Sequence, residues 1–157
     1  NTEYNQNLLM YHGKSWKDKY GAFFDPETVA ELKRIIEETN ADIVIESSWK
    51  YLGLEAMQQM WSDRNMPGKV IDVTPSSATD NMLLNANLDE MNPAHTQWKG
   101  VEIASWIADN LQDEGRYVII DDEYVIQDSQ LPHFILTNPY DGITADLANR
   151  AIKILNG

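Results

Sequence analysis

Two adjacent acids, Asp121-Asp122, stand directly behind the most strand-like run of the chain, Tyr117-Val118-Ile119-Ile120. Neighbouring carboxylates repel unless a cation or a proton compensates them. A hard, oxygen-liganded cation such as Mg²⁺ is their natural partner. A turn in which one Asp caps the following segment accounts for the pair about equally well. Glu123 adds a third acid that solvent alone can accommodate. Ser47-Ser48 follow a second apolar run, Ile43-Val44-Ile45. Their hydroxyls could donate to a phosphoryl oxygen, although capping the next helix is the commoner use of such residues. Lys99 opens a helical pattern, where an ammonium can reach a strand-end cleft and offset phosphate charge; an exposed lysine is the ordinary reading. Trp49-Lys50 could also meet substrate, or simply be an aromatic packed at a cleft edge beside a solvated lysine.

Hydrophobic period shows which helices and strands carry these residues. Asp25-Pro26 suits an N-cap and first helical position, and Val29, Leu32, Ile35 and Ile36 recur at helical spacing up to Thr39-Asn40. Leu54, Met57, Met60 and Trp61 predict a second helix, stopped by Pro67-Gly68. Val101, Ala104, Ile107 and Leu111 predict a third, opened by Lys99-Gly100 and ended by Gly115. A fourth, capped by Thr144, carries Leu147, Ala151, Ile154 and Leu155. Short strands are expected at 43–45, 70–73, 117–120 and 133–136. Residues 1–24 show no sustained period and read as a loop with one short helix, and 74–98 read as a long loop. The alternation predicts an α/β fold in three layers, a Rossmann-like sandwich with a mostly parallel sheet covered by helices on both faces and little or no cap. Chemistry in such sheets sits at the carboxyl ends of the strands, which is where the serines and the aspartate pair fall.

Composition narrows the function. The 157 residues carry 12 basic and 25 acidic side chains, a net charge of −13. That balance argues against non-specific binding to nucleic acid or anionic membrane. There is no cysteine, so disulfides and thiolate metal sites are excluded. No apolar run is long enough to span a membrane and no leader pattern opens the chain, so a cytoplasmic location is expected. The length suits one domain over 1–157. His12, His95 and His133 lack metal-ligand spacing. No glycine-rich phosphate loop and no GxSxG elbow occur, and the aromatic residues are not interleaved with basic ones.

The order strand–Ser-Ser, lysine at a helix start, strand–Asp-Asp resembles the haloacid dehalogenase superfamily. The segments IVIESSWK, VTP, WKGVEIASWI, YVIIDDE and NPYDGITADLANRAIKIL are similar to one branch of it, the small phosphatase-like domains of the Swiss Army knife RNA-repair proteins. The likeness runs from about Phe24 to the C-terminus. It implies that Ser47 or Ser48 hydrogen-bonds the transferring phosphoryl group and that Lys99 stabilises the phosphoaspartate. It also implies that Asp121 and Asp122 supply the Mg²⁺ carboxylate, one directly and one through water. Which serine and which aspartate face the site stays open, because a one-residue shift reverses a strand residue's direction. Glu46 stands where the branch often has a small hydroxyl residue, and Lys50 where it usually has Arg. An anionic Glu46 would oppose a phosphate, so it is expected to point away.

The resemblance also implies a central strand ending in Asp-x-Asp, between the strands at 43–45 and 117–120, with the first Asp as nucleophile. No such pair succeeds a strand near the start of this chain, and in the branch the motif runs directly into a segment similar to Asn1-Thr2-Glu3-Tyr4. The chain is therefore expected to be N-terminally incomplete. The expected activity is a Mg²⁺-dependent phosphohydrolase, with substrate choice in the loops 3–24 and 74–98. The substrate is phosphorylated but of unassigned class; a nucleic-acid end is compatible with an open cleft and disfavoured by charge. The rival expectations are a catalytically inactive binding module of the same fold, and a merely architectural likeness to flavodoxin or receiver domains.

Overall fold

The computed structural model describes residues 17–18, 21–22, 24–46, 50, 52–75, 98–111, 116–124, 126–138 and 141–157. A two-residue antiparallel ladder comes first, β1 (Lys17–Asp18) against β2 (Gly21–Ala22). It lies where the sequence shows no period; the short helix expected within 1–24 otherwise falls outside the described residues. Helix α1 (Pro26–Thr39) begins as its sequence dictates, with the Asp25 carboxylate accepting from the Glu27 N–H at 2.9 Å and Pro26 in the first turn. It ends at Asn40, whose left-handed backbone (φ 57°) lets its N–H reach the Ile36 carbonyl, a C-terminal turn that asparagine tolerates.

Strand β3 (Ile43–Ile45) leads through a turn at Lys50 and Leu52 to α2 (Leu54–Asp63), and β4 (Val70–Val73) pairs parallel with β3. Helix α3 spans Trp98–Asn110. Strand β5 (Ile119–Asp121) then pairs parallel with β6 (Phe134–Leu136), and α4 (Ala145–Asn156) closes the described chain. His133, expected to begin the last strand, instead ends a 3₁₀ helix over Asp128–His133. Reciprocal side-chain-to-backbone bonds between Gln127 and Gln130 stabilise that turn, so local capping prevails over the extended preference of the flanking residues.

The layers follow from strand alternation. Val118 and Ile120 pack with the cluster of Ile35 from α1, Ile135, and Ala148 and Ala151 from α4. Tyr117 and Ile119 pack on the opposite face with Ile103 and Ile107 of α3. Met57, Met60 and Trp61 of α2 pack with Val70 and with Ile43 and Ile45 of β3. The fold is α/β with parallel strands between helices.

The described strands form three separate two-stranded sheets. On β3, Ile43 and Ile45 exchange backbone bonds with the β4 side, through Lys69 O and Thr74 N. On β5, Asp121 O accepts from Thr137 N beside β6. In a parallel ladder the backbone groups of alternate residues point to opposite edges, so Val44, Val118 and Ile120 direct theirs the other way. Those edges border one cleft of about 530 Å³, walled by Val44 and Ile120 at its sides, Leu32 and Ile36 of α1, and Ile103 and Trp106 of α3. Protein interiors rarely hold voids larger than a water molecule.

Candidate functional site at the carboxyl ends of β3 and β5

Asp121 is the last residue of β5 and is 8 % exposed. Its position in the alternation puts it on the face covered by α3, and there it meets the first turn of that helix. Lys99 Nζ donates to Asp121 Oδ2 at 3.1 Å, and the Glu123 N–H donates to Oδ1 at 3.0 Å. The turn after the strand thus folds back on the carboxylate, an Asx-type arrangement.

The first turn of α3 can come this close because of Gly100. A Cβ at Gly100 would lie 2.8 Å from Gln127 N and 2.9 Å from Ile126 Cα, both backbone atoms. The Gln130 side-chain amide completes the contact by donating to the Gly100 carbonyl at 2.9 Å. A glycine next to Lys99 therefore sets how deeply that lysine reaches.

Glu46 comes directly after β3. The sequence predicts that it points away; it faces Asp121 instead, hydrogen-bonded to it and near Lys99. Burial first, and then the Asp121 charge, push its carboxyl up to about 8, against the opposing pull of Lys99 and Lys50. Its Oε2 is buried with no partner from which to accept. A protonated Glu46 donating to Asp121 removes the charge conflict on which the expectation rests. Burial alone would raise the Asp121 pKa, but the hydrogen bonds from Glu46 and the Glu123 N–H, with the Lys99 charge, hold it below the ordinary value. Burial likewise disfavours the Lys99 ammonium, yet Glu46 and Asp121 outweigh this and raise its pKa. Asp122 is exposed; partial burial and its contact with Asp121 raise its pKa.

Of the other sequence candidates, Ser47, Ser48 and Trp49 lie outside the described residues. Lys50 is 5 % exposed, and its ammonium pairs with Glu102 and donates to Thr74 Oγ1 at 3.3 Å. Its ammonium points into the protein rather than into solvent. Sequence reasoning misses Glu102 and Thr74 as participants. A glutamate inside the apolar pattern WKGVEIASWI, three positions after Lys99 on one helix face, is the available signal.

A family model describing the HAD domain in Swiss Army Knife RNA repair proteins matches residues 5–148. The chain belongs to this family. No curated protein and no solved structure matches it. The HAD assignment places the domain in a phosphatase-like hydrolase superfamily that generally uses Mg²⁺.

The oxygen donors of this HAD domain suit such an ion. Asp121 and Asp122 are adjacent carboxylates at the strand end, the oxygen chemistry that Mg²⁺ takes. Among the described residues no three acids or histidines cluster closely enough to hold a metal by themselves. Mg²⁺ tolerates this, since it keeps several waters and takes only one or two protein carboxylates together with substrate phosphate. No helix among the described residues is long and apolar enough to cross a membrane.

Proposed function

We propose that this chain forms the body of a Mg²⁺-dependent phosphohydrolase acting through an aspartyl phosphate. The observation that carries the reading is Asp121, a carboxylate at the carboxyl end of β5 held against the ammonium of Lys99. Asp121 and Asp122 would hold the Mg²⁺. When bound, the ion would neutralise charge on the phosphoryl oxygens. Lys99 adds a second positive charge at the same place, and a hydroxyl of Ser47 or Ser48, one or two residues beyond Glu46, donates to a phosphoryl oxygen.

The nucleophilic carboxylate would come from a strand seated in the cleft between β3 and β5, whose end would open beside Glu46 and Lys99. Its oxygen bonds to phosphorus as the bond to the leaving oxygen breaks, and water then cleaves the acyl phosphate. Two easier displacements replace one hard one. The partner is a phosphorylated substrate. The −13 charge favours a small phosphorylated compound over a polynucleotide. A cytoplasmic location fits the absence of cysteine.

The test is p-nitrophenyl phosphate hydrolysis by the full-length protein, with Mg²⁺ and with EDTA. Hydrolysis that needs Mg²⁺ and is lost in Asp121→Asn is expected. An inactive full-length protein, unaltered by that substitution, would leave a binding module as the reading.

A further inference from the structure

We propose that Lys50 and Glu102 form a positioning pair, which sets the first turn of α3 and the segment after β3 relative to the strand ends. The pair is buried from both sides, at 5 % and 3 % exposure. Lys50 lies in the turn that comes after residues 47–49, and its ammonium meets Glu102 on α3 and Thr74 just past β4. Thr74 is itself tied to β3, its N–H donating to Ile45 O at 2.9 Å. Glu102 stands three residues after Lys99, so the two share a face of α3. Lys99 in turn reaches Asp121 at the end of β5. Two neighbouring positions of α3 thus carry polar contacts, Glu102 to the turn after β3 and, through Lys50, to the end of β4, and Lys99 to β5.

Stability is a weak reason to keep such a pair. Taking two charges out of water is costly, and apolar residues of similar size often serve a fold as well or better. What apolar residues lack is direction. An ammonium gripping a carboxylate and a hydroxyl admits few arrangements of the three elements, whereas an apolar contact can slide. The arrangement matters because small displacements of catalytic groups are expensive in rate. Lys50 and Glu102 would touch no substrate; they would act through Lys99.

The inference rests on the phosphohydrolase reading only for its kinetic readout. The experiment compares the full-length protein with Lys50→Met/Glu102→Leu and with Lys50→Arg, by thermal melting, amide hydrogen exchange and p-nitrophenyl phosphate kinetics. The double variant is expected to melt within a few degrees of the parent. Its amides in 50–53 and 98–102 should exchange faster, while those of β6 and α4 keep their rates. Its kcat should fall on the order of tenfold to a hundredfold, with a smaller change in KM. Lys50→Arg, which keeps the charge and the grip, should restore most of both. Parental local exchange and parental kcat in the double variant would overturn the proposal. So would a collapse in melting temperature with faster exchange everywhere, which marks a pair that only holds the fold. If the parent hydrolyses nothing, the phosphohydrolase reading falls and the exchange pattern still decides the pair.

Discussion

Lys99 Nζ stands 3.1 Å from Asp121 Oδ2, joining the first turn of α3 to the last residue of β5. Removing the ammonium in Lys99→Met leaves a buried carboxylate short of one partner. That should cost about 1–3 kcal/mol in urea unfolding. Phosphatase activity should fall on the order of a hundredfold or more, since a charge facing the transferring group is lost. Parental stability and activity in Lys99→Met would remove the lysine from the site.

Glu46 should make stability fall as pH rises. Its folded pKa, about 8, lies above the ordinary 4.5. The folded state therefore keeps a proton that the unfolded chain has released. Stabilisation is full below the unfolded value and is lost as pH rises towards the folded one. Asp121 acts oppositely, with a folded pKa below 3.8, so its contribution disappears only as pH falls through that region. Urea melts in EDTA between about pH 5 and pH 8 should show a decline on the order of 1–3 kcal/mol. Glu46→Gln should flatten it; an equally steep decline in that variant would assign the titration elsewhere.

Gly100→Ala should push α3 away from the 126–130 segment. The added Cβ would sit 2.8 Å from a backbone nitrogen that cannot rotate aside. A loss of about 1–3 kcal/mol is expected from such overpacking, with activity reduced as Lys99 retreats. A crystal structure of the variant with Lys99 still on Asp121 would refute the second part.

The cleft between β3 and β5 predicts a hydrogen-exchange pattern. In the full-length protein, a strand seated there would protect the amides of Val44 and Ile120, which point into it, as well as those of Ile43 and Ile119, which face β4 and β6. Fast exchange at Val44 and Ile120 alone would show that no strand fills the cleft.

Much of this architecture is legible from the chain alone. Helical period, the Asp25-Pro26 start and the Thr144 cap locate α1 and α4. Runs of β-branched residues locate β3, β4 and β5, because a buried strand must be apolar on both faces. The order of these elements points to the α/β class, and the clustering of Lys99 and Asp121 at strand ends follows from it. The 3₁₀ helix before β6 is not legible, since its stability lies in the Gln127–Gln130 exchange rather than in any period.

Residue type and order specify which elements form and that acids and a lysine gather at their carboxyl ends. Which of those side chains face one another is settled in the packed fold. Asp121 rather than Asp122 turns to Lys99 because strand direction reverses at each residue, a register that pairing with β6 and cover by α3 fix. Glu46 lies beside Asp121 because packing brings the carboxyl ends of β3 and β5 together, and burial there raises its pKa. Lys50 turns to Glu102 because the two lie far apart in the chain and meet only when β3, β4 and α3 pack. Local sequence encodes propensity and period; the partner of a buried charge is a property of the packed whole.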